Sequence, residues 1–459
     1  MPFANARLPY TDRSKDSTHW STRRIIQMGP SELPDGPSEP DNRRSVDVPS
    51  PADLRQLVIE LGTAMVAAGD AVDNVEEALR TIVAAYGVTG VKIALLPTSL
   101  FVETGTGGSS HVQFSAEVAR PLRLDQIEDL YEMVKVLESG RLTPAQGIAR
   151  LHEIERSRPN FGWPLRTFGH AVLTAGLALL LAPTPAGVGV AFVLGLGVGL
   201  LKLVELPTLR LIFPIAAAFV ISTVVLAISE ALHLDNPIRI LVAPLVTFLP
   251  GGMLAIATME LAAGQMVAGS SRLVSGLVQL ALLAFGILAG AALVGADHAE
   301  LLVHKEAGLG YWAAWLGVLI FTLGVYLHFS APTSSLPWLL LVMAVAFAAQ
   351  SVGGALFGGV LSGFVGALAM TPLALWIDHL RRGPPKLVTF LPAFWLLVPG
   401  ATGLIGVTQI IGSGGQIPLV AVRDLFGAIM AIALGVLIGT AAYRSTHAGA
   451  RLITRAVHR

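Results

Sequence analysis

The chain has 459 residues, 53% of them hydrophobic and only 14% charged, and its formal charges cancel. A soluble domain carries about 25% charged residues, so most of this chain suits an apolar solvent, and its neutral balance offers nucleic acid no electrostatic purchase. No cysteine is present, which excludes disulfides, thiol catalysis and cysteine-ligated metals.

Residues 1–50 are rich in Pro, Ser, Asp and Arg and lack apolar periodicity. They predict a disordered cytoplasmic tail, with no apolar run of the kind a cleaved signal peptide needs. Residues 51–165 predict a small soluble cytoplasmic α+β domain. "SPADLRQLVIELGTAMVAAG" has apolar residues at helical spacing behind a Ser-Pro start that suits a cap and first turn. "DAVDNVEEALRTIVAAYG" repeats the pattern and stops at Gly87. "VTGVKIALLPTSLFVETG" and "SSHVQFSAEV" are β-rich and joined by a Gly-rich turn, which predicts a short meander. "LDQIEDLYEMVKVLESG" and "TPAQGIARLHEIERS" return to helix.

From 166 to 445 the chain is almost wholly apolar. A span needs about 20 such residues, and ten segments qualify: 167–182, 185–204, 209–230, 238–261, 272–295, 309–328, 335–350, 353–377, 387–411 and 417–441. "GLGVG" and "SVGGALFGG" place small residues where helices can approach closely. With the N-terminus inside, ten spans put Arg156, Arg158, Arg166, Lys202, Arg210, "DHLRRGPPK" and the basic tail 446–459 in the cytoplasm. The acidic loop "GADHAELLVHKEAG" falls outside. That is the positive-inside pattern, and both termini are expected to be cytoplasmic.

"TFLPGGMLAIATMELAAG" in the fourth span has a counterpart in "WLLVPGATGLIGVTQIIG" in the ninth. Each carries a mid-span Pro-Gly, and each is followed by a span opening near an arginine, Arg272 or Arg423. Units an odd number of spans apart face opposite ways, so the pattern predicts an α-helical membrane protein built as a 5+5 inverted repeat. A proline inside a span frees backbone groups that lipid cannot satisfy, so they are buried in protein or line a wet cavity. The half-helices after each break bring their N-termini near the midplane, where they attract anions such as a carboxylate. The candidate substrate-binding residues are therefore Pro250, Gly251, Gly252 and Thr258 in one repeat and Pro399, Gly400, Thr408 and Gln409 in the other. Two plain packing kinks are the competing reading.

Glu260 is an acid at the cytoplasmic end of a broken span, which makes it a candidate proton carrier. An interfacial acid paired with Arg272 is the alternative. Arg272 could neutralise Glu260 or hold a substrate carboxylate, or serve only as a positive-inside anchor. Arg423 and Asp424 read as a surface ion pair, with an outer gate as the alternative, and His170 as a packed or interfacial histidine. Thr247, like Thr258, Thr408 and Gln409, is, taken alone, a weak candidate for a substrate hydroxyl or ammonium. No phosphate-binding loop, nucleophile elbow or His/Glu metal spacing occurs, and His111 and His152 lack ligand-spaced partners. No enzyme activity, cofactor or metal is expected.

At "LGTAMVAAGDAVDNVEEALRTIVAAYGV", "PTSLFVETG", the Pro-Gly span with its acid, Gly264 and arginine, and the second Pro-Gly span, the chain resembles the threonine/serine exporter family. The resemblance covers most of residues 51–445. It implies a cytoplasmic N-terminal domain, about ten spans in a bacterial inner (plasma) membrane, and export of threonine and serine driven by the proton gradient. The partners it implies are the amino acid, protons and the lipid bilayer; self-association into a homo-oligomer is left open. The family's acidic position is often Asp, where this chain has Glu260. A passive channel, an exporter of another small metabolite, or a membrane-anchored sensor or enzyme acting through the soluble domain are the rival readings.

Overall fold

The computed structural model describes residues 50–104, 111–116, 120–181, 184–204, 212–234, 236–296, 309–397, 399–412 and 419–457. The tail predicted over 1–50 lies outside them except for Ser50.

The N-terminal elements are amphipathic, and each start follows from a local signal. Helix α1 (Pro51–Ala67) opens where Ser50 Oγ accepts from the Ala52 amide and Pro51 presets the first turn. Helix α2 (Val72–Ala85) follows a turn at Gly69, whose φ of +88° is open to glycine. Strands β1 (Lys92–Leu96), β2 (Ser99–Thr104) and β3 (His111–Ser115) form an antiparallel meander. Its register pairs Ile93 with Val102 and Leu95 with Leu100 on the buried face. Phe101 pairs with Phe114 on the open face, their rings 4.8 Å apart. Helix α3 (Leu124–Glu138) and helix α4 (Pro144–Arg156) complete this unit. A Thr143/Gln146 capping box starts α4. Leu54, Leu57, Leu61, Leu79, Ile82, Leu100, Ile127 and Leu130 are fully buried between the helices and the sheet.

Twelve apolar helices follow among the described residues. They are α5 (Trp163–Leu181), α6 (Pro185–Leu201), α7 (Phe213–Ser229), α8 (Pro237–Val242), α9 (Gly251–Ala262), α10 (Met266–Val294), α11 (Tyr311–His328), α12 (Leu336–Phe357), α13 (Gly359–Asp378), α14 (Lys386–Leu396), α15 (Pro399–Gly412) and α16 (Leu419–Val457). By length and composition α5, α10, α12, α13 and the first part of α16 can each cross a membrane. Helices α8 and α9, joined through a 3-10 turn at Ala243–Phe248 and bent by 66°, make a sixth crossing if taken as one broken span. Helices α6, α7, α11 and α14 are apolar but shorter.

Large apolar side chains on the outer faces are bare, among them Val193, Val220, Phe285, Leu293, Leu319, Leu356 and Met430. Patches on this scale in a soluble protein would cause aggregation; in a bilayer they face lipid. Because lipid tails are as apolar as leucine, the helices associate by close backbone approach at small residues. Gly286 and Gly290 of α10 lie against α7: a Cβ on Gly286 would meet Ile215 O at 2.6 Å. Gly435 and Gly439 of α16 lie against α13 in the same way, with Phe364 O 2.5 Å from a Cβ on Gly435. Helices α5 and α11 cross at Gly176 and Gly324, where an added Cβ would strike the backbone of Phe321 and Leu173 respectively.

Several helix boundaries differ from those the sequence predicts. The chain between the seventh and eighth expected spans breaks at Gly358 (φ +86°), not between 350 and 353. Helix α10 starts at Met266 rather than 272, because Gly264 (φ +84°) ends α9 and allows an immediate restart. Helix α16 runs past 441 to Val457.

Candidate functional site

The first break is built from sequence in three steps. Pro244 sits in the 3-10 turn, Leu249 is extended (ψ 130°), and Pro250 caps the fresh start of α9. The extended Leu249 and the amide-less Pro250 interrupt the helical ladder, so carbonyls just before the break lose their helical partners. Phe248 O is instead satisfied by Gln279 Nε2 of α10 at 2.6 Å. The second break has the same remedy: Leu397 O accepts from Gln350 Nε2 of α12 at 3.3 Å, and α15 opens at Pro399. Gly251 is buried, and a Cβ on Gly252 would meet nothing within 4 Å, so there is open space at the start of α9. The side chains at Pro399 and Gly400 lie outside the described residues.

Among the hydroxyl candidates the outcomes differ. Thr258 is buried and bonds back to Ala255 O of its own helix at 2.8 Å, so its donor is spent. Thr247 Oγ1 lies 3.1 Å from His170 Nε2. Thr408 is fully buried, and its Oγ1 has no partner among the described residues. Gln409 beside it is half-buried.

Glu260 and Arg272 do come together, with Nη1 of the arginine 3.3 Å from Oε1 of the acid. Both are buried, at 1% and 8% exposure. Burying the pair is costly unless further hydrogen bonds satisfy it. Here they come from the N-terminal unit: the Val72 amide donates to Glu260 Oε1 at 2.9 Å, and both Arg272 terminal nitrogens lie 3.3 Å from Asp70 O. Glu260 Oε2 is buried without a partner among the described residues. Arg423 and Asp424 form an exposed ion pair at 2.8 Å, of small energetic weight.

A second polar cluster was not singled out in the sequence. Lys202, the residue that caps α6, places Nζ 3.3 Å from His328 Nε2, 5.6 Å from the Phe248 ring centre and 6.0 Å from that of Phe329. His328 Nδ1 faces Arg166 O at 2.9 Å and therefore carries the proton, leaving Nε2 to accept from the ammonium. His170, fully buried, faces Gly195 O with Nδ1 at 2.8 Å and Thr247 with Nε2. No carboxylate pairs with Lys202 among the described residues. Phe248 lies just before the first break. Phe329 stacks on Trp395, just before the second, with ring centres 4.6 Å apart. The ammonium thus sits between the two breaks. Its sequence signal was a lone lysine at the end of an apolar span, which orientation alone accounts for.

A bundle of apolar helices, five of them long enough to cross a bilayer, with one broken span and buried polar groups beside its breaks, defines a multi-pass membrane protein. The chain belongs to the threonine/serine exporter family, ThrE, whose model matches residues 56–294, more than half of the chain. It is also similar to the uncharacterized protein C16A10.01 of Schizosaccharomyces pombe, at 26% identity over 311 residues, 62% of this chain and 37% of the yeast protein. The chain therefore spans little more than a third of that relative's length. No solved structure matches the chain.

Proposed function

We propose that this protein is a secondary active exporter of small hydroxy amino acids, threonine and serine, driven by inward proton flow. The observation that carries the reading is a lysine, Lys202, with no carboxylate partner among the described residues, set beside aromatic rings that flank two helix breaks inside a member of an exporter family. A cation so placed takes a substrate carboxylate, together with the amide-rich start of α9. The open space at Gly252 and the unspent hydroxyl of Thr408 offer room and a partner for the substrate hydroxyl. Glu260 is the acid assigned to proton coupling, with Arg272 beside it.

A ten-span inverted repeat is the architecture that fits. The Gly-x-x-x-Gly contact of α10 on α7 is matched by that of α16 on α13. Helix α9 packs on α16 as α15 packs on α10. The N-terminal unit touches the last turns of α9, α11 and α13 and the first turns of α10 and α12, as alternating crossings require. In this reading residues 51–165 are a soluble cytoplasmic domain, 166–445 the transporter, and both termini lie on the cytoplasmic side.

The substrate reading is tested by counterflow in proteoliposomes. Labelled serine is expected to exchange against internal serine and threonine but only weakly against serinol, which lacks the carboxylate. Lys202→Met is expected to raise the half-saturating serine concentration about tenfold, a loss of about 1.4 kcal/mol, while Lys202→Arg keeps most of the affinity. Absence of serine and threonine exchange would refute the substrate class; an unchanged half-saturation in Lys202→Met would refute the lysine's role.

A further inference from the structure

Glu260 and Arg272 do not open onto water. They are covered by the turn between α1 and α2, Gly69–Ala71, which the N-terminal unit carries to the end of α9. We propose that this turn is the inner gate of the transporter, and that each transport cycle lifts Asp70–Val72 off the Glu260–Arg272 pair. The proposal rests on the transporter reading above and gives the N-terminal unit its part in it.

The gate is built as a rigid tip. Asp70 is 3% exposed, and its carboxylate is fully engaged: Oδ1 accepts from the Ala71 amide at 2.9 Å and from Asn74 Nδ2 at 2.8 Å, and Oδ2 accepts from the Tyr131 hydroxyl at 2.5 Å. Burial, reinforced by Asp70, holds the Tyr131 phenol well above its ordinary range, so it stays protonated and donates. With its side chain fixed to α2 and α3, Asp70 turns its carbonyl toward Arg272.

The contact is also built to part. The N-cap of helix α2 is Ala71, which has no side chain able to cap it. The missing acceptor is Glu260, from α9. A carboxylate at a helix N-terminus is favourable, and here the two partners come from separate elements, α2 and α9, so the contact can part without breaking either helix. Glu260 keeps one oxygen unsatisfied in the closed arrangement, which holds the latch short of its full strength.

The turn reaches both broken spans. Val72 meets α9 through Glu260, and Gly69 lies against Leu391 of α14, 3.5 Å from where its Cβ would be. Other polar ties also join the unit to the bundle. Lys135 pairs with Asp378 at 3.1 Å, Ser335 donates to Glu128 at 2.7 Å, the Leu124 amide donates to Phe329 O at 3.1 Å, Asn160 Nδ2 donates to Ser330 O at 3.1 Å, and Arg444 lies 4.0 Å from Glu77. The lysine pair is partly exposed, and such pairs are weak. A rigid tip on a body held to the bundle by individual side-chain and backbone contacts is one that can rock when those contacts part.

The absence of cysteine makes a direct test available. In Lys135→Cys/Asp378→Cys, a short bismaleimide would tie the N-terminal unit to the end of α13 without touching the gate residues. Cross-linking is expected to cut serine counterflow about tenfold, with both single-cysteine proteins unaffected by the reagent. Undiminished counterflow in the cross-linked protein would overturn the proposal. A second measurement needs no cargo. Gly252→Cys, at the open start of α9, is labelled by a membrane-impermeant maleimide added from the side of the N-terminal unit. Tyr131→Phe, which frees Asp70, is expected to speed labelling about fivefold; an equal rate in both backgrounds would overturn the gate whether or not serine and threonine are the cargo.

Discussion

Replacing Pro250 or Pro399 with Ala is expected to lower serine counterflow about tenfold or more while leaving the amount of membrane-inserted protein nearly unchanged. Alanine favours a helix interior by about 3 kcal/mol over proline, and it restores the missing amide. At the first break this lets the 3-10 turn and α9 join, straightening a 66° bend. The chain then loses the free N-terminus of α9, and Gln279 loses the carbonyl of Phe248 as its acceptor. The second break is expected to respond alike, since Gln350 serves Leu397 O in the same manner. Counterflow in proteoliposomes, normalised to reconstituted protein, measures the effect. Normal exchange in both variants would reduce the breaks to packing features.

Glu260→Gln is expected to abolish pH-driven accumulation and to spare much of the exchange. Gln offers an oxygen where Oε1 now accepts from the Val72 amide, so the local fold survives. It cannot take up or release a proton in the working pH range, so a step that needs both states stops. The proposed substrate site between the breaks is left alone, so counterflow is expected to persist. Glu260→Asp keeps titration and is expected to retain coupled transport. Accumulation by the Gln variant equal to that of the parent would leave Glu260 as a partner for Arg272 and the α1–α2 turn only.

What was legible in the sequence is what short-range physics decides. Ser50-Pro51 and Thr143-Pro144 announced helix starts because capping is settled within a few residues. Alternation around Ile93, Leu95, Leu100 and Val102 announced the meander for the same reason. The Pro250 break and the Glu260–Arg272 pair were also readable, since proline and an acid in an apolar tract stand out against it. Three features were not. Lys202 looked like an ordinary positive residue at a span end, and only folding shows that its neighbour is a histidine from α11 rather than a carboxylate. The glycines of α10 and α16 looked like scattered small residues, because which helix face meets a neighbour is a tertiary fact. The seating of Asp70 and Val72 on Arg272 and Glu260 joins residues far apart in the chain, with no local trace in either segment. Thr258 shows the opposite failure: a hydroxyl that sequence offers to a substrate is bound to its own helix.

The central claim is that export is coupled to protons, and one measurement addresses it directly. Purified protein in proteoliposomes, given labelled serine or threonine and an imposed pH gradient, is expected to accumulate the amino acid above its equilibrium level on the acidic side. Collapse of the gradient with a protonophore is expected to release it. Equilibration to equal concentrations whether or not the gradient is present would contradict coupling and describe a passive channel instead.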